Sequence, residues 1–155
     1  MAQKLAQRQI VAKIEPSTGK AVTPPIFLEY FAQVSGGEIT ASVEKVYDGG
    51  AQFPETLCAS AEVGDITVTR HWEPGRDDIP MSTLRGQVGQ AYYNVTISEL
   101  NCDLKVPGTQ RIYSEALCVG LTEPDGDASS GAPATFSLTF SIGGVASDGG
   151  TASAT

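Results

Sequence analysis

Phe136-Ser137-Leu138-Thr139-Phe140-Ser141-Ile142 alternates an apolar with a hydroxyl side chain at every position. Successive side chains of a β-strand point to opposite faces, so this stretch predicts a strand that buries its four apolar side chains and turns its three hydroxyls outward. Tyr92–Ser98 repeats the alternation, with Tyr93, Val95 and Ile97 on the buried side. Together the two stretches predict a mainly β protein.

Further apolar or alternating runs predict the remaining strands. These runs are Gln9–Ile14, Ile26–Val34, Ile39–Tyr47, Asp65–Trp72 and Ile112–Leu121. Turns rich in Gly, Pro and Asp separate them, and the chain holds 17 Gly and 9 Pro among its 155 residues. We expect two packed antiparallel β-sheets, in a sandwich or barrel, with one short flanking α-helix.

The short helix is predicted to follow the strand Asp65–Trp72. Asp77 or Asp78 can cap its N-terminus, and a proline in the first turn is compatible with a helix start. This helix can cover one side of a sheet. The side chains predicted to share its apolar face are Pro80, Met81, Leu84 and Val88.

Length and composition predict a single domain. We expect one β domain over residues 1–142 that begins with an N-terminal arm, and a flexible C-terminal arm over residues 143–155, which are rich in Gly, Ser and Ala. The formal net charge of −8 argues against a basic face that binds phosphates. No apolar run approaches the roughly 18 residues of a membrane span, and the first residues lack a secretory signal, so we expect a soluble chain made in a cytoplasm.

Charge is distributed unevenly along the chain. Residues 1–20 contain Lys4, Arg8, Lys13 and Lys20 but one acidic residue, whereas residues 112–155 contain five acidic residues and neither lysine nor arginine. The two ends are therefore electrostatic complements, which favours head-to-tail association of copies. A solvated surface with an acidic tail explains the same pattern equally well.

Residue types that often carry catalysis are sparse. The chain has one histidine, His71, which we interpret as a structural strand residue because no nucleophile motif accompanies it. Cys58, Cys102 and Cys118 lack C-x-x-C spacing, so we expect reduced and mostly buried thiols. These residues predict a protein that is not an enzyme.

One acidic turn has the spacing of a weak calcium site. Glu123, Asp125 and Asp127 alternate with other residues, and carboxylate oxygens are calcium ligands. The turn lacks the glycine and the distal glutamate of an EF-hand loop, so a solvated acidic turn is the favoured interpretation. We expect neither a metal nor a cofactor.

A second passage joins a strand to the predicted helix: Val63-Gly64-Asp65-Ile66-Thr67-Val68-Thr69-Arg70-His71-Trp72-Glu73-Pro74-Gly75-Arg76-Asp77, continuing to Leu84-Arg85. Its order of strand, Thr-Arg, aromatic residue, proline, Arg-Asp and short helix resembles that of the tail tube (major tail) proteins of long-tailed bacteriophages. The resemblance is strongest over residues 62–89. Residues 90–142 agree with it in the order and size of their elements.

The resemblance implies a structural building block. Tail tube proteins assemble as hexameric rings that stack into a hollow tube, through which DNA leaves the virion. The resemblance further implies that tape-measure and tail terminator proteins are partners and that assembly takes place in the host cytoplasm. It also implies that the protein has no membrane anchor and that DNA passes without specific binding. Acids and hydroxyls in the channel suit that role, because lysine or arginine would hold the DNA phosphates.

Two sets of residues are candidates for this role. Outward-facing polar residues of predicted strands are candidates for the lumen, with a solvent-exposed outer face as the alternative: Glu29, Gln33, Glu44, Asn94, Thr96, Ser98, Ser137, Thr139 and Ser141. Candidates for contacts between subunits are Lys4, Arg8, Lys13, Asp48, Arg70, Arg76, Asp77 and Asp148. Ring-to-ring contacts are expected from the basic N-terminus, the loop Asp48–Ala59 and the C-terminal arm.

Three of these residues belong to the passage that carries the resemblance. We expect Arg70, Arg76 and Asp77 to form an ion-pair or hydrogen-bond cluster at the corner between strand and helix. The sequence leaves open whether the cluster lies within one subunit or at a ring interface.

Two other functions compete with a tube subunit. A β-sandwich module that binds a carbohydrate or a host surface would expose an aromatic platform, such as Tyr92 with Tyr113 or Trp72. A small hydrolase would use His71. The resemblance favours the tube subunit over both.

Overall fold

A computed structural model describes residues 4–50, 52–100, 102, 107–143 and 147–148. The strands are β1 (Ile10–Pro16), β2 (Gln33–Gly36), β3 (Ile39–Ala41), β4 (Lys45–Val46), β5 (Glu55–Thr56), β6 (Ala61–Val63), β7 (Ile66–His71), β8 (Tyr92–Leu100), β9 (Pro107–Thr122), β10 (Thr135–Ser141) and β11 (Ser147–Asp148). A 3₁₀ turn spans Gln7–Gln9, and the α-helix α1 spans Asp78–Leu84. No helix among the described residues has the length and apolarity needed to cross a membrane.

One antiparallel sheet forms the body of the protein, with its strands in the order β1-β8-β9-β10-β7-β2 and β11 added beside β9. The sheet curls until its two edge strands approach each other. Where they meet, Ala12 and Phe31 exchange backbone hydrogen bonds, with N···O distances of 3.1 and 2.7 Å. The curled sheet therefore encloses one core and satisfies part of both edges.

The inner face of the sheet holds an aromatic core. Phe136 lies 5.7 Å from Phe31 and 6.3 Å from Phe27 between ring centroids, and Tyr93 lies 5.7 Å from Phe140. All five side chains are buried. Burial of a large apolar side chain contributes about 1.5–3 kcal/mol, so this cluster dominates the stability of the body.

The helix and the segment 20–31 cover the open side of the curled sheet. Met81 and Leu84 are fully buried beneath α1, whereas Val88 lies beyond the helix and is exposed. The segment contacts the turn that follows the helix, where Gln87 donates to the Thr23 carbonyl at 3.4 Å. The prediction of a short helix that covers a sheet is confirmed.

A hairpin arm, residues 38–64, extends the β2–β7 pair away from the body. Gly64 donates to the Glu38 carbonyl at 2.8 Å at its base, β3 pairs with β6 above that, and β4 pairs with β5 near the tip. Every described residue from 38 to 62 is exposed except the half-buried Pro54. The arm therefore has no core of its own.

The strand predictions succeed where one side of the strand faces the core. The predicted strands that correspond to β1, β7, β8, β9 and β10 are confirmed, as is the mainly β fold. The predicted strand Ile26–Val34 is wrong. The observed strand β2 begins only at Gln33, because Glu29 adopts a positive φ of 66° that interrupts the extended backbone. Ile39–Tyr47 is interrupted after Ala41 and contains β3 and β4 instead of one strand.

The chain termini and cysteines differ in part from expectation. Of the predicted C-terminal arm, Ser147–Asp148 pairs with β9 as β11, and residues 144–146 and 149–155 lie outside the described residues. The thiols are free, but only Cys118 is buried, whereas Cys58 and Cys102 are exposed. The expectation of mostly buried cysteines is therefore wrong, because Cys58 lies in the exposed hairpin arm and Cys102 in the connection between β8 and β9.

Candidate functional site

Two rows of small polar side chains cross four strands on the outer face of the sheet. Strand register places Ser35, Thr67 and Thr139 in one row, which ends at Gly120. The second row is Gln33, Thr69, Ser137 and Thr122. The two rows, together called the hydroxyl face, contain no charged side chain.

Cross-strand contacts hold the hydroxyl face in place. The Thr67 and Thr139 hydroxyls lie 3.3 Å apart, within hydrogen-bonding distance. Between the rows, Val68 and Leu138 face each other across the strands and are fully buried on the opposite side. Because alternate residues of β7 and β10 are anchored in the core, the hydroxyls of Thr67, Thr69, Ser137 and Thr139 are held at half-exposed positions on an uncharged surface.

The predicted cluster at the strand-to-helix corner lies inside one subunit. The guanidinium of Arg70 binds the Asp77 carboxylate and donates to the Leu28 carbonyl, and it stacks over the Phe31 ring at 4.3 Å. The side chains of Arg70 and Asp77 are 3 % and 0 % exposed. The alternative of a ring interface is therefore wrong for these two residues.

Arg76 extends this cluster to the surface. Its guanidinium contacts Asp77 at 2.9 Å, Glu29 at 2.6 Å and Glu73 at 3.2 Å, and its side chain is 18 % exposed. Hydrogen bonding to Asp77 raises the pKa of Arg76. Glu29 is thus held in an ion pair rather than on the hydroxyl face, where a lumen position was expected.

Burial and hydrogen bonding act in opposite directions on the buried pair. Burial alone would raise the pKa of Asp77, but hydrogen bonds from Arg76, the Glu73 amide and Arg70 outweigh it and hold this pKa below its ordinary value. Burial lowers the pKa of Arg70, against the hydrogen bond and charge of Asp77. Asp77 occupies the N-cap position of α1, yet its carboxylate serves the arginines instead of capping the helix.

The remaining lumen candidates lie in different places. Asn94 and Thr96 are half-buried on β8, where the Asn94 amide oxygen accepts from the Glu115 backbone at 3.1 Å, and Glu44 is exposed in the hairpin arm. Ser98 is 1 % exposed, so its assignment to an outward face is wrong. Its register partner on β1, Val11, is buried as well.

The remaining contact candidates are mostly on the surface. Lys4, Arg8 and Lys13 are exposed near the N-terminus, and Asp48 is exposed at the tip of the hairpin arm. Asp148 lies in β11 opposite Arg111. Among the lumen candidates, the structure brings together Gln33, Ser137 and Thr139, with Ser141 farther along β10.

Sequence reasoning missed four members of the hydroxyl face. These are Ser35, Thr67, Thr69 and Thr122, of which Thr67 and Thr69 alternate with buried residues as Ser137 and Thr139 do. For Thr67 and Thr69 this alternation was a usable signal, but strand pairing was needed to show that all four belong to continuous rows.

The acidic turn lies beside a cleft of about 360 Å³. Glu123 is paired with Arg85, and Asp127 accepts hydrogen bonds from the Ser129 amide and hydroxyl at 3.0 and 2.8 Å. These bonds lower the pKa of Asp127. Within the described ranges, no group of three or more His, Cys, Asp or Glu side chains is placed to hold a metal ion.

The aromatic platform expected of a binding module does not form. Tyr113 is 4 % exposed, and Trp72 packs edge-on against Phe136 with ring centroids 5.4 Å apart. Tyr92 is covered by the Lys20 ammonium, 4.7 Å above its ring. The prediction of Tyr92 with Tyr113 or Trp72 as an exposed surface is therefore wrong.

Comparison with known proteins identifies the architecture. No protein-family model and no curated protein sequence matches the chain. Its fold matches a chain of the tube-terminating cap of the anti-feeding prophage, with a TM-score of 0.70 and 17 % identity over 96 % of this chain and 92 % of that one. It also matches a chain of the sheath–tube complex of the extracellular contractile injection system PVC, with a TM-score of 0.68 and 20 % identity over 90 % and 88 %.

A third match is a chain of the sheath/tube terminator of the PVC system, with a TM-score of 0.69 and 20 % identity over 92 % of this chain and 94 % of that one. The fold is the tail-tube fold. The resemblance carried by residues 62–89 is thus confirmed at the level of architecture. The tail-tube fold here combines a curled sheet, a covering helix and a protruding arm.

Proposed function

We propose that this chain is the structural subunit of a bacteriophage-type tail tube. Copies assemble into hexameric rings, the rings stack into a hollow tube, and DNA passes along the lumen during ejection. The observation that carries the proposal is the tail-tube fold, which extends over 90–96 % of the chain in the three matches. The subunit has a structural role, acts without a cofactor and belongs to the tail of the particle.

The hydroxyl face is the surface best suited to the lumen. Its side chains offer hydrogen bonds to water and carry no charge, so a DNA phosphate next to them gains no ion pair. The net charge of −8 per subunit adds a repulsive field around a tube made of many copies. We therefore assign Gln33, Ser137 and Thr139 to the lumen, with Thr67 and Thr69 beside them.

Assembly requires two unlike surfaces on each subunit. A stack made by translating one ring onto the next uses heterologous contacts, in which one face of a subunit meets a different face of its neighbour. The exposed hairpin arm and the basic N-terminal residues are two such surfaces. Tape-measure and terminator proteins would contact the same tube from its lumen and its end.

Electron microscopy tests this function. Purified protein and particles from the source should show rings or tubes with a central hole, and helical reconstruction should place the hydroxyl face on the channel wall. A protein that stays monomeric at all concentrations and is missing from particles contradicts the proposal. A tube whose channel is lined by another face retains the structural role but overturns the lumen assignment.

A further inference from the structure

The chain contains three Asp-Gly pairs, at residues 48–49, 125–126 and 148–149. Such a pair can rearrange without an enzyme, because glycine has no side chain to keep its amide nitrogen away from the carboxyl group that precedes it. Gly149 lies outside the described residues, which leaves the pairs at 48–49 and 125–126 to be compared. Their surroundings in the fold differ.

The pair Asp125–Gly126 is free of local restraint. Both residues are exposed, and residues 123–127 have no regular secondary structure. A Cβ added at Gly126 would have no heavy atom within 4 Å. Within the part of the chain that the structure describes, neither residue takes part in a hydrogen bond or an ion pair. The side-chain carboxyl group of Asp125 is therefore free to turn toward the Gly126 amide.

Neighbouring and equivalent aspartates are held more firmly. The Asp127 carboxylate accepts from the Ser129 amide and hydroxyl at 3.0 and 2.8 Å, and an alanine follows it. Asp48 is followed by glycine, but it stands at the start of a turn in which Gly50 adopts a φ of 84°. The same dipeptide is thus part of a turn at position 48 and unrestrained at position 125.

We propose that Asp125 is a site of spontaneous isomerisation to isoaspartate. The Gly126 amide nitrogen attacks the side-chain carboxyl carbon of Asp125 and forms a C–N bond. The carboxyl group loses its hydroxyl and the nitrogen loses its proton, so one water leaves and a succinimide ring remains. Water then opens the ring at one of its two carbonyls. Opening at the side-chain carbonyl restores aspartate, whereas opening at the main-chain carbonyl gives isoaspartate, with no net change of atoms or oxidation state.

The product would alter the wall of the cleft beside the hydroxyl face. Asp125 lines that cleft together with Thr69, Thr122 and Ser137 of the second hydroxyl row. Isomerisation adds one carbon to the main chain and shortens the branch that carries the free carboxylate, while the net charge stays the same. The reaction depends only on the fold of one subunit, but its position beside a channel rests on the proposed function.

Ageing of the purified chain tests the proposal. The folded protein and the same protein in urea are incubated in mildly acidic buffer and digested, and electron-transfer fragmentation in a mass spectrometer distinguishes the two linkages of equal mass. In urea, the peptides that contain Asp48 and Asp125 should isomerise at similar rates. In the folded protein, the Asp125 peptide should keep its rate within about twofold, whereas the Asp48 peptide should slow by about tenfold, because a local opening must precede the reaction in the turn.

Gly126→Ala is the matched variant, since it adds one methyl group in open space. It should slow isomerisation at Asp125 by about fivefold, because alanine restricts the backbone more than glycine does. Isomerisation at Asp48 should not change in this variant. Circular dichroism checks that the variant folds like the unaltered chain.

Two results would overturn the proposal. One is an Asp125 peptide that isomerises in urea but stays unchanged in aged folded protein. The other is an equal rate at Asp48 and Asp125 in the folded protein, which would remove the preference that the fold confers on Asp125. Neither result bears on assembly, and a chain that never forms rings or tubes would contradict the proposed function without affecting this site.

Discussion

Arg70 and Asp77 form a buried ion pair at the corner where β7 leads into α1. The pair also fixes the segment that covers the core, because the same guanidinium donates to the Leu28 carbonyl and lies over the Phe31 ring. One arginine thus joins a strand, a helix and a covering segment. Removal of Asp77 leaves the buried guanidinium of Arg70 without a carboxylate, whereas removal of Arg70 leaves Asp77 paired with Arg76 alone.

Asp77→Asn should destabilise the protein by about 3–5 kcal/mol, since it leaves a buried guanidinium without a carboxylate. Urea denaturation followed by circular dichroism measures the change. The control is Asp78→Asn, which removes an exposed carboxylate that accepts from the Gly75 amide at 3.3 Å. We expect the control to cost less than about 1 kcal/mol. Equal losses in the two variants would contradict the role of the buried pair.

The stabilisation from Asp77 should depend on pH. Its pKa is lower in the folded than in the unfolded protein, so its contribution is present above the unfolded pKa of about 3.9 and is lost as pH falls through the folded pKa. The difference in unfolding free energy between wild type and Asp77→Asn should therefore be constant from pH 5 to pH 7 and shrink below about pH 4. A difference that does not change with acidification contradicts this assignment.

Gly36→Ala should disrupt the base of the hairpin arm. Gly36 has a φ of 96°, and an added Cβ would lie 1.9 Å from the Asp65 carbonyl oxygen, so the backbone must move. Gly89→Ala is the matched control, with a φ of 88° and no heavy atom within 4 Å of the added Cβ. The control should cost about 1–2 kcal/mol for its left-handed backbone alone. Gly36→Ala should cost more, and hydrogen exchange should rise at residues 37 and 64 in that variant only.

Ser137→Cys should report on the hydroxyl face in an assembled tube. In a background with Cys58 and Cys102 replaced by serine, a small maleimide should label Cys at position 137 before and after assembly. A maleimide attached to a large polymer should label the free subunit only, because it cannot enter the channel. Thr83→Cys, on the exposed side of α1, is the comparison site. Equal protection from both reagents would place residue 137 in a subunit interface.

Thr139→Lys should slow the passage of DNA without preventing assembly. The substitution places a cation in the hydroxyl rows, and a ring of such cations would bind phosphates. Particles that carry it should eject DNA more slowly at low salt, and the difference should diminish as ionic strength rises. Thr83→Lys adds the same charge on the helix and should have no such effect. Unchanged ejection at low salt would argue against a lumen position for Thr139.

The sequence predicts the half-buried strands well because burial on one side produces a clear two-residue period. The strand around Phe136 is an example: its apolar positions at 136, 138 and 140 are buried as expected. The same rule fails at Ile26–Val34, where Phe27 and Phe31 are buried four residues apart and the exposed Glu29 between them adopts a positive φ of 66°. The carbonyls of this segment bond to Arg70, a contact 42 residues away that no local pattern contains.

The candidate site could be predicted residue by residue but not as a surface. Alternation identifies Ser137 and Thr139 as outward-facing, whereas their alignment with Thr67 and Thr69 depends on the pairing of β7 with β10. The sequence pattern also does not show when a polar side chain of a strand is buried, as that of Ser98 is. Register and long-range packing are properties of the folded chain, and the period of a single strand does not encode them.

The hairpin arm leaves the body at one end of β2 and therefore gives the subunit a front and a back. A column of such subunits joined front to back has a polarity, and its two ends differ chemically. One end of such a column would present the exposed Tyr47 and Phe53 of the arm tip, and the opposite end would not. A protein that starts such a column and a protein that stops it must therefore bind different surfaces, and binding to one end gives no affinity for the other end.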